Sequence, residues 1–182
     1  GLPMGPFAVN DLSGLDIAWA RRKRLAPTRD PRERYVTVAD TLCEMGRLGQ
    51  KTGAGWYRYV EGKRTPDPDV ARLIEAASRD KGIARRPLPA AEIQSRVLAA
   101  MVNEGAKILA EGIALRASDI DLVLVNGYGY PAWRGGPMFE ADRIGLKVIL
   151  TEVERMSERD GLGFEPAPLL ADLAKAGKGF AG

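Results

Sequence analysis

One segment of this chain occurs twice. Gly5-Pro6-Phe7-Ala8-Val9-Asn10-Asp11-Leu12-Ser13-Gly14-Leu15 and Gly136-Pro137-Met138-Phe139-Glu140-Ala141-Asp142-Arg143-Ile144-Gly145-Leu146 share Gly, Pro, Asp, Gly and Leu at a constant offset of 131, without a gap. A duplicated element restricts the chain to folds made from related units. The second copy follows Asn126-Gly127-Tyr128-Gly129-Tyr130-Pro131-Ala132-Trp133-Arg134-Gly135. That stretch is too rich in Gly, Pro and aromatics for a helix interior. It reads as an ordered, close-packed turn between two helices.

Composition narrows the chemistry sharply. The chain has no histidine and one cysteine, Cys43. The commonest general base and metal ligand are therefore missing, as is every Ser-His or Cys-His pair. No catalytic residue and no metal site is expected, and Cys43 reads as a small core residue of a protein in a reducing compartment. Hydrophobic residues make up 45% of 182, enough for a packed core. No apolar run reaches the roughly 18 residues of a membrane span. A net charge of +3 permits anionic ligands without demanding nucleic acid.

Periodicity predicts helices almost throughout. Residues 6–24 form one helix broken near Ser13-Gly14, with Arg21-Arg22-Lys23-Arg24 as a solvated, cationic C-terminal end. A second helix spans 36–45. The segment Gly49–Tyr59 lacks Walker spacing and is read as a tight turn burying Trp56 and Tyr57 rather than a phosphate loop. Residues 61–66 read as a polar connector. Asp67-Pro68 opens a helix to about Lys81, with Asp as N-cap and Pro at the first position.

The longest predicted helix is Glu92–Arg116. Its apolar stripe contains Gly105 and Gly112, where a second helix could approach closely. Asn103, Lys107 and Glu111 are placed on the opposite face, the latter two as an exposed i, i+4 pair. Ser118 with Asp121 is read as a capping box for the next helix. Further helices are expected at 139–145, 146–158 and 168–176, with almost no support for strands.

Three pieces together are similar to one family. Pro3-Met4-Gly5-Pro6-Phe7 through Gly14-Leu15-Asp16, Asn103-Glu104-Gly105 through Asp119-Ile120-Asp121, and Gly127-Tyr128-Gly129 through Gly135-Gly136-Pro137-Met138 resemble the C-terminal part of the (3S)-hydroxyacyl-CoA dehydrogenases. The last piece looks like the multifunctional β-oxidation enzymes, in particular the peroxisomal bifunctional type and its bacterial relatives. The resemblance implies an all-α fold with two tandem copies of the helical domain also found at the C-terminus of 6-phosphogluconate dehydrogenase. Residues 1–60 would be the remainder of a first copy truncated at its N-terminus, 61–89 a connector with a helix, and 90–182 a complete second copy. In single-domain relatives this unit pairs two subunits, so a second copy on one chain would supply that scaffold internally.

The same resemblance implies oxidation of 3-hydroxyacyl-CoA with hydride passed to NAD. The family's His, Glu and Ser belong to a Rossmann domain, and no Gly-x-Gly-x-x-Gly after a strand occurs here. Its Asn belongs to the opening helix missing from the first copy; the counterpart in the second copy is Ser95. The isolated chain is therefore expected to be inactive, with NAD bound by the absent Rossmann domain. Pro3, Met4, Gly5, Pro6 and Phe7 are the candidate substrate-binding residues, an apolar turn beside the acyl-CoA channel. The expected partners are the 3-hydroxyacyl-CoA substrate and upstream Rossmann and hydratase domains, with no nucleic acid and no membrane span. The ending Phe180-Ala181-Gly182 is not a Ser-Lys-Leu address, which favours a bacterial cytoplasmic enzyme.

Two other readings compete. A stand-alone helical dimerisation or acyl-CoA-binding module would share this composition. A basic helical nucleic-acid binder would use Arg21–Arg24 and Arg85-Arg86, but it lacks any base-reading motif.

Overall fold

A computed structural model describes residues 4–181, which divide into two compact units, 4–87 and 88–181. In the first, α1 (Pro6–Ser13), α2 (Leu15–Leu25), α3 (Val38–Glu44) and α4 (Pro68–Asp80) accompany a hairpin of β1 (Tyr57–Val60) and β2 (Lys63–Pro66). Leu15, Val38, Leu42, Cys43 and Val70 form its buried centre, with Trp19, Leu48, Trp56, Leu73 and Ile74 packed around them. The helical break at Ser13-Gly14 is real: Gly14 has φ +97°, which ends α1 and starts α2.

Residues 61–66, where no strand was expected, form the turn and second strand of this hairpin. Residues 57–60 pair antiparallel with 63–66, Tyr57 opposite Pro66 and Val60 opposite Lys63. Glu61 and Gly62 both have positive φ, +50° and +75°. That is the demand of a two-residue turn whose twist matches the flanking strands. Four-residue strands are too short to register as a periodic pattern. At Asp67 the expectation holds, since its carboxylate accepts the Asp69 amide at 3.0 Å and Pro68 follows at N1.

The second unit is helical throughout its described residues: α5 (Ala90–Ala110), α6 (Ala117–Tyr128), α7 (Pro137–Ile144), α8 (Leu146–Asp160) and α9 (Pro168–Ala176). Its core joins Ala99, Val102 and Ala106 of α5 to Met138 and Ala141 of α7, Ile149 and Val153 of α8, and Leu170 and Ala174 of α9. Gly105 sits where α5 meets α7, and a Cβ there would lie 2.6 Å from Met138 Sδ. The close approach expected at Gly105 is thus found.

Gly112 differs, because α5 stops at Ala110 rather than Arg116. Gly112 takes φ +70° and nothing lies within 4 Å of a Cβ built on it. The Gly112 and Ile113 amides donate back to Leu109 and Ile108, which closes the helix and satisfies its last carbonyls. Asn103 is buried rather than on an outer face: its side-chain amide donates to the Glu165 carbonyl at 3.0 Å and its oxygen accepts the Ala167 amide at 2.7 Å. Lys107 pairs with Glu104 at 3.7 Å, not with Glu111.

Candidate functional site

In the second unit the Gly-Pro turn is held from beneath by Asp121. At the start of α6 the Asp119 carboxylate accepts the Arg116 amide at 3.1 Å, two residues ahead of the box that Ser118 and Asp121 suggest. This frees Asp121 for another task. Its carboxylate accepts the Met138 amide at 2.7 Å and the Phe139 amide at 3.0 Å, the first amides of α7. Burial raises its pKa, and those two amides only partly oppose the shift. Gly136, at φ +114°, lies directly over this carboxyl, so any Cβ would collide with it at 2.4 Å.

The turn ahead of it is locked by charge. Glu140 is buried, receives Arg134 Nη1 at 2.9 Å, and accepts the Tyr130 hydroxyl. Burial first, then that bond to Glu140, drives the Tyr130 hydroxyl strongly toward its neutral form. Trp133 is left in solvent with the Arg134 guanidinium 4.9 Å from its ring centre. Tyr130, Arg134 and Glu140 are fully engaged in structure. They hold a shape rather than a reacting group.

The candidate substrate-binding residues lie at the matching turn of the first unit. Pro3 lies outside the described residues. Met4, Gly5, Pro6 and Phe7 are all exposed, and Gly5 and Pro6 begin α1. Here Gly5 has φ −73° and open space where a Cβ would stand. The Phe7 ring stacks on Trp56, centroids 4.2 Å apart and planes 18° from parallel. Met4, Gly5, Pro6 and Phe7 therefore form an apolar ledge with no acid, base or nucleophile of its own. Such a ledge can line an apolar ligand but cannot move a proton.

Trp56 is held in place by Asp11, a feature that inspection of the Gly5 segment alone misses. Asp11 is completely buried, and its carboxylate accepts the Trp56 amide at 2.8 Å, the Tyr57 amide at 3.0 Å and the Tyr59 hydroxyl at 3.0 Å. Burial and this bond to Asp11 push the Tyr59 hydroxyl up to about 12. In the second unit Asp142 accepts the Phe180 and Ala181 amides at 2.8 and 3.0 Å. Gly55 and Gly179 precede the clamped residues, and a Cβ on either would strike the aspartate.

A signal for this was present in the sequence. Lys51-Thr52-Gly53-Ala54-Gly55-Trp56 and Lys175-Ala176-Gly177-Lys178-Gly179-Phe180 share Lys-x-Gly-x-Gly-aromatic. Gly53 and Gly177 both take left-handed backbone, φ +72° and +65°. Residues 49–56 thus make the tight turn expected, with Trp56 and Tyr57 partly buried, whereas 57–59 belong to β1.

Cys43 is buried and free, and burial raises its thiol pKa, the opposite of an activated nucleophile. Arg22 is engaged by Asp40 at 2.6 Å, and Lys23 lies 3.6 Å over the Trp19 ring. Among the described residues no group of three His, Cys, Asp or Glu could hold a metal ion, and no helix is long and apolar enough to cross a membrane. A groove of about 190 Å³ between α5 and α8 is lined by Asn103, Lys107, Val153 and Phe164.

Fold and repeat together define a class: a helical protein in which one helix pair, its glycine junction and its aspartate clamp occur twice. The chain belongs to the 3-hydroxyacyl-CoA dehydrogenase C-terminal domain family, whose model matches residues 1–59 and 93–179. The peroxisomal bifunctional enzyme of Homo sapiens is 39% identical over 97% of this chain and 27% of its own length. The peroxisomal fatty acid beta-oxidation multifunctional protein AIM1 of Arabidopsis thaliana is 35% identical over 97% and 25% respectively. The chain thus spans about a quarter of the curated relatives it matches. The dehydrogenase part of multifunctional enzyme 1 from C. elegans has the same fold, with a TM-score of 0.68 at 24% identity over 93% of this chain and 38% of that one.

Proposed function

We propose that this chain is the C-terminal part of an NAD-dependent 3-hydroxyacyl-CoA dehydrogenase of fatty acid β-oxidation, joined in its parent polypeptide to Rossmann and enoyl-CoA hydratase domains. The observation that carries the reading is the family match to both halves of the chain, each of which holds its own Gly-Pro helix start and aspartate clamp. We place the first repeat at 1–60, a connector at 61–89 and the second repeat at 90–182.

The division of labour follows from the side chains. NAD does not fit these residues: the strands described form a two-stranded antiparallel hairpin, which has no βαβ crevice for a dinucleotide. The cofactor belongs to the Rossmann domain, and hydride transfer with it. This chain contributes one wall of the acyl-CoA pocket through Pro3, Met4, Gly5 and Pro6. Phe7 sets that wall against Trp56. The second repeat acts as scaffold, and the parent enzyme works in the cytoplasm. Alone, the chain is inactive, since it has no histidine to serve as base.

Two measurements test this. The isolated chain, mixed with NADH and acetoacetyl-CoA, is expected to leave NADH unoxidised; turnover above a buffer blank defeats the inactivity. In the full-length parent, Met4→Ser is expected to raise KM for long acyl-CoA substrates several-fold with kcat little changed, the pattern of lost ground-state contact. Unchanged KM for every chain length removes Met4 from the pocket.

A further inference from the structure

Trp56, stacked on the Phe7 ring, is aimed by its backbone and not by its own polar atom. The indole N–H is buried and has no hydrogen-bond partner among the described residues, although a buried tryptophan ordinarily uses that donor to fix its ring. The peptide group joining Gly55 to Trp56 is instead held at both ends. Asp11 accepts the Trp56 amide at 2.8 Å. On the other side Arg47 donates to the Gly55 carbonyl through Nε at 3.2 Å and Nη2 at 3.0 Å. Arg47 is in turn fixed by Asp67, whose fully buried carboxylate takes Nη2 at 2.6 Å while it caps α4.

The second unit makes only half of this grip. Asp142 holds the Phe180 amide, but Ala171 stands four positions ahead of Lys175, where Arg47 stands four ahead of Lys51. The Gly179 carbonyl receives no side-chain donor among the described residues. Packing such a turn therefore does not demand the second arm. We propose that Arg47, braced by Asp67, is a positioning residue for acyl-chain recognition. By fixing the Gly55–Trp56 peptide it sets the plane of the indole on which Phe7 stacks, and with it the depth of the Met4–Phe7 wall. Arg47 acts through Trp56 and touches no substrate. The assignment rests on the proposed acyl-CoA wall and adds to it the residues that set its shape.

Arg47→Met alone would strand the buried Asp67 carboxylate, so the test pairs it with Asp67→Asn, which removes that charge and keeps an N-cap for α4. In the full-length parent this double variant is expected to raise KM for long-chain 3-hydroxyacyl-CoA at least about threefold, with kcat and short-chain KM within about twofold, the pattern of lost ground-state contact. In the 182-residue chain the Phe7 ring protons, shielded by an indole 4.2 Å away, are expected to move downfield in the same variant. Val38→Ala, a core truncation in the same unit, should lower stability and produce neither change. Matching changes in Val38→Ala, or Phe7 resonances that stay in place in the folded double variant, overturn the proposal. A raised KM in Met4→Ser with none in the double variant overturns it and leaves the wall standing. No response in either variant removes the wall and this inference together.

Discussion

Asp11 and Asp142 perform one task in two units: each aspartate, on the first helix of a pair, clamps two consecutive backbone amides of a distant loop. Asp11 takes Trp56 and Tyr57, 45 and 46 positions away, and Asp142 takes Phe180 and Ala181, 38 and 39 positions away. A carboxylate accepting two backbone amides is a strong, charge-assisted contact. It ties a distant segment of each unit to the helix pair that follows the Gly-Pro start.

The two clamps should not be equally costly to remove. Asp11 is completely buried and has a third donor in the Tyr59 hydroxyl, whereas Asp142 is half-buried. Asp11→Ala is expected to destabilise the first unit by about 3 kcal/mol, because buried donors lose their acceptor and water cannot replace it. Asp142→Ala should cost about 1 kcal/mol in the second unit. Urea denaturation of each variant measures both. Equal costs would mean that burial of the clamp is energetically irrelevant.

Gly105 and Gly112 should respond in different ways to alanine. Gly105→Ala drives a methyl into Met138 and is expected to cost about 1–3 kcal/mol by overpacking. Adding Met138→Ala should recover part of that loss, a coupling of at least about 0.5 kcal/mol. Gly112→Ala meets no atom but must take φ +70°, and its cost of about 1 kcal/mol should be indifferent to Met138→Ala. Thermal unfolding of the unsubstituted chain, the three single variants and the two double variants checks both cycles.

Acid should weaken the first unit through Asp67. Its side chain is fully buried, and burial alone would raise its pKa. The Arg47 bond at 2.6 Å, the Asp69 amide and the Arg58 charge outweigh burial, so the carboxyl lies below its ordinary 3.8. A folded pKa below the unfolded one means the stabilisation is present above pH 3.8 and is lost as pH falls through the folded value. Arg47→Met leaves a buried, under-compensated carboxylate and should cost about 3 kcal/mol at neutral pH. Stability measured from pH 7 to 2 should then fall less steeply in the variant below pH 3.8 than in the natural protein.

Alkali should act on Tyr59. Burial, and then the bond to Asp11, lift its hydroxyl from 10.0 to about 12. The folded pKa is the higher one, so this stabilisation is intact below pH 10 and is lost as pH rises toward 12. Absorbance at the phenolate band during alkaline titration should show one late-ionising tyrosine that Tyr59→Phe removes, with Tyr130 ionising later still.

Much of the fold was legible because helices announce themselves by spacing. The α1–α2 break, the Asp67-Pro68 start and the close approach at Gly105 follow from local rules about glycine, proline and capping. The duplicated Gly-Pro segment implied two related units. The repeated Lys-x-Gly-x-Gly-aromatic segment was equally visible, but its meaning lay in Asp11 and Asp142, more than 35 positions away. The β1–β2 hairpin escaped because four residues per strand carry too little period, although Glu61-Gly62 marks its turn.

The sequence by itself determined the chemical repertoire: a chain without histidine and with a single cysteine has few ways to take a proton or bind a metal, whatever its shape. It also determined where the two Gly-Pro helices begin, since helix starts and glycine junctions depend on neighbours in the chain. Only the tertiary structure decided the partners of polar side chains. Asn103 has the spacing of a surface residue, yet it bridges Glu165 and Ala167; Asp121 has the look of a helix cap, yet it closes a different helix. Those choices depend on which buried amide comes within 3 Å, and that distance exists only after distant segments have packed.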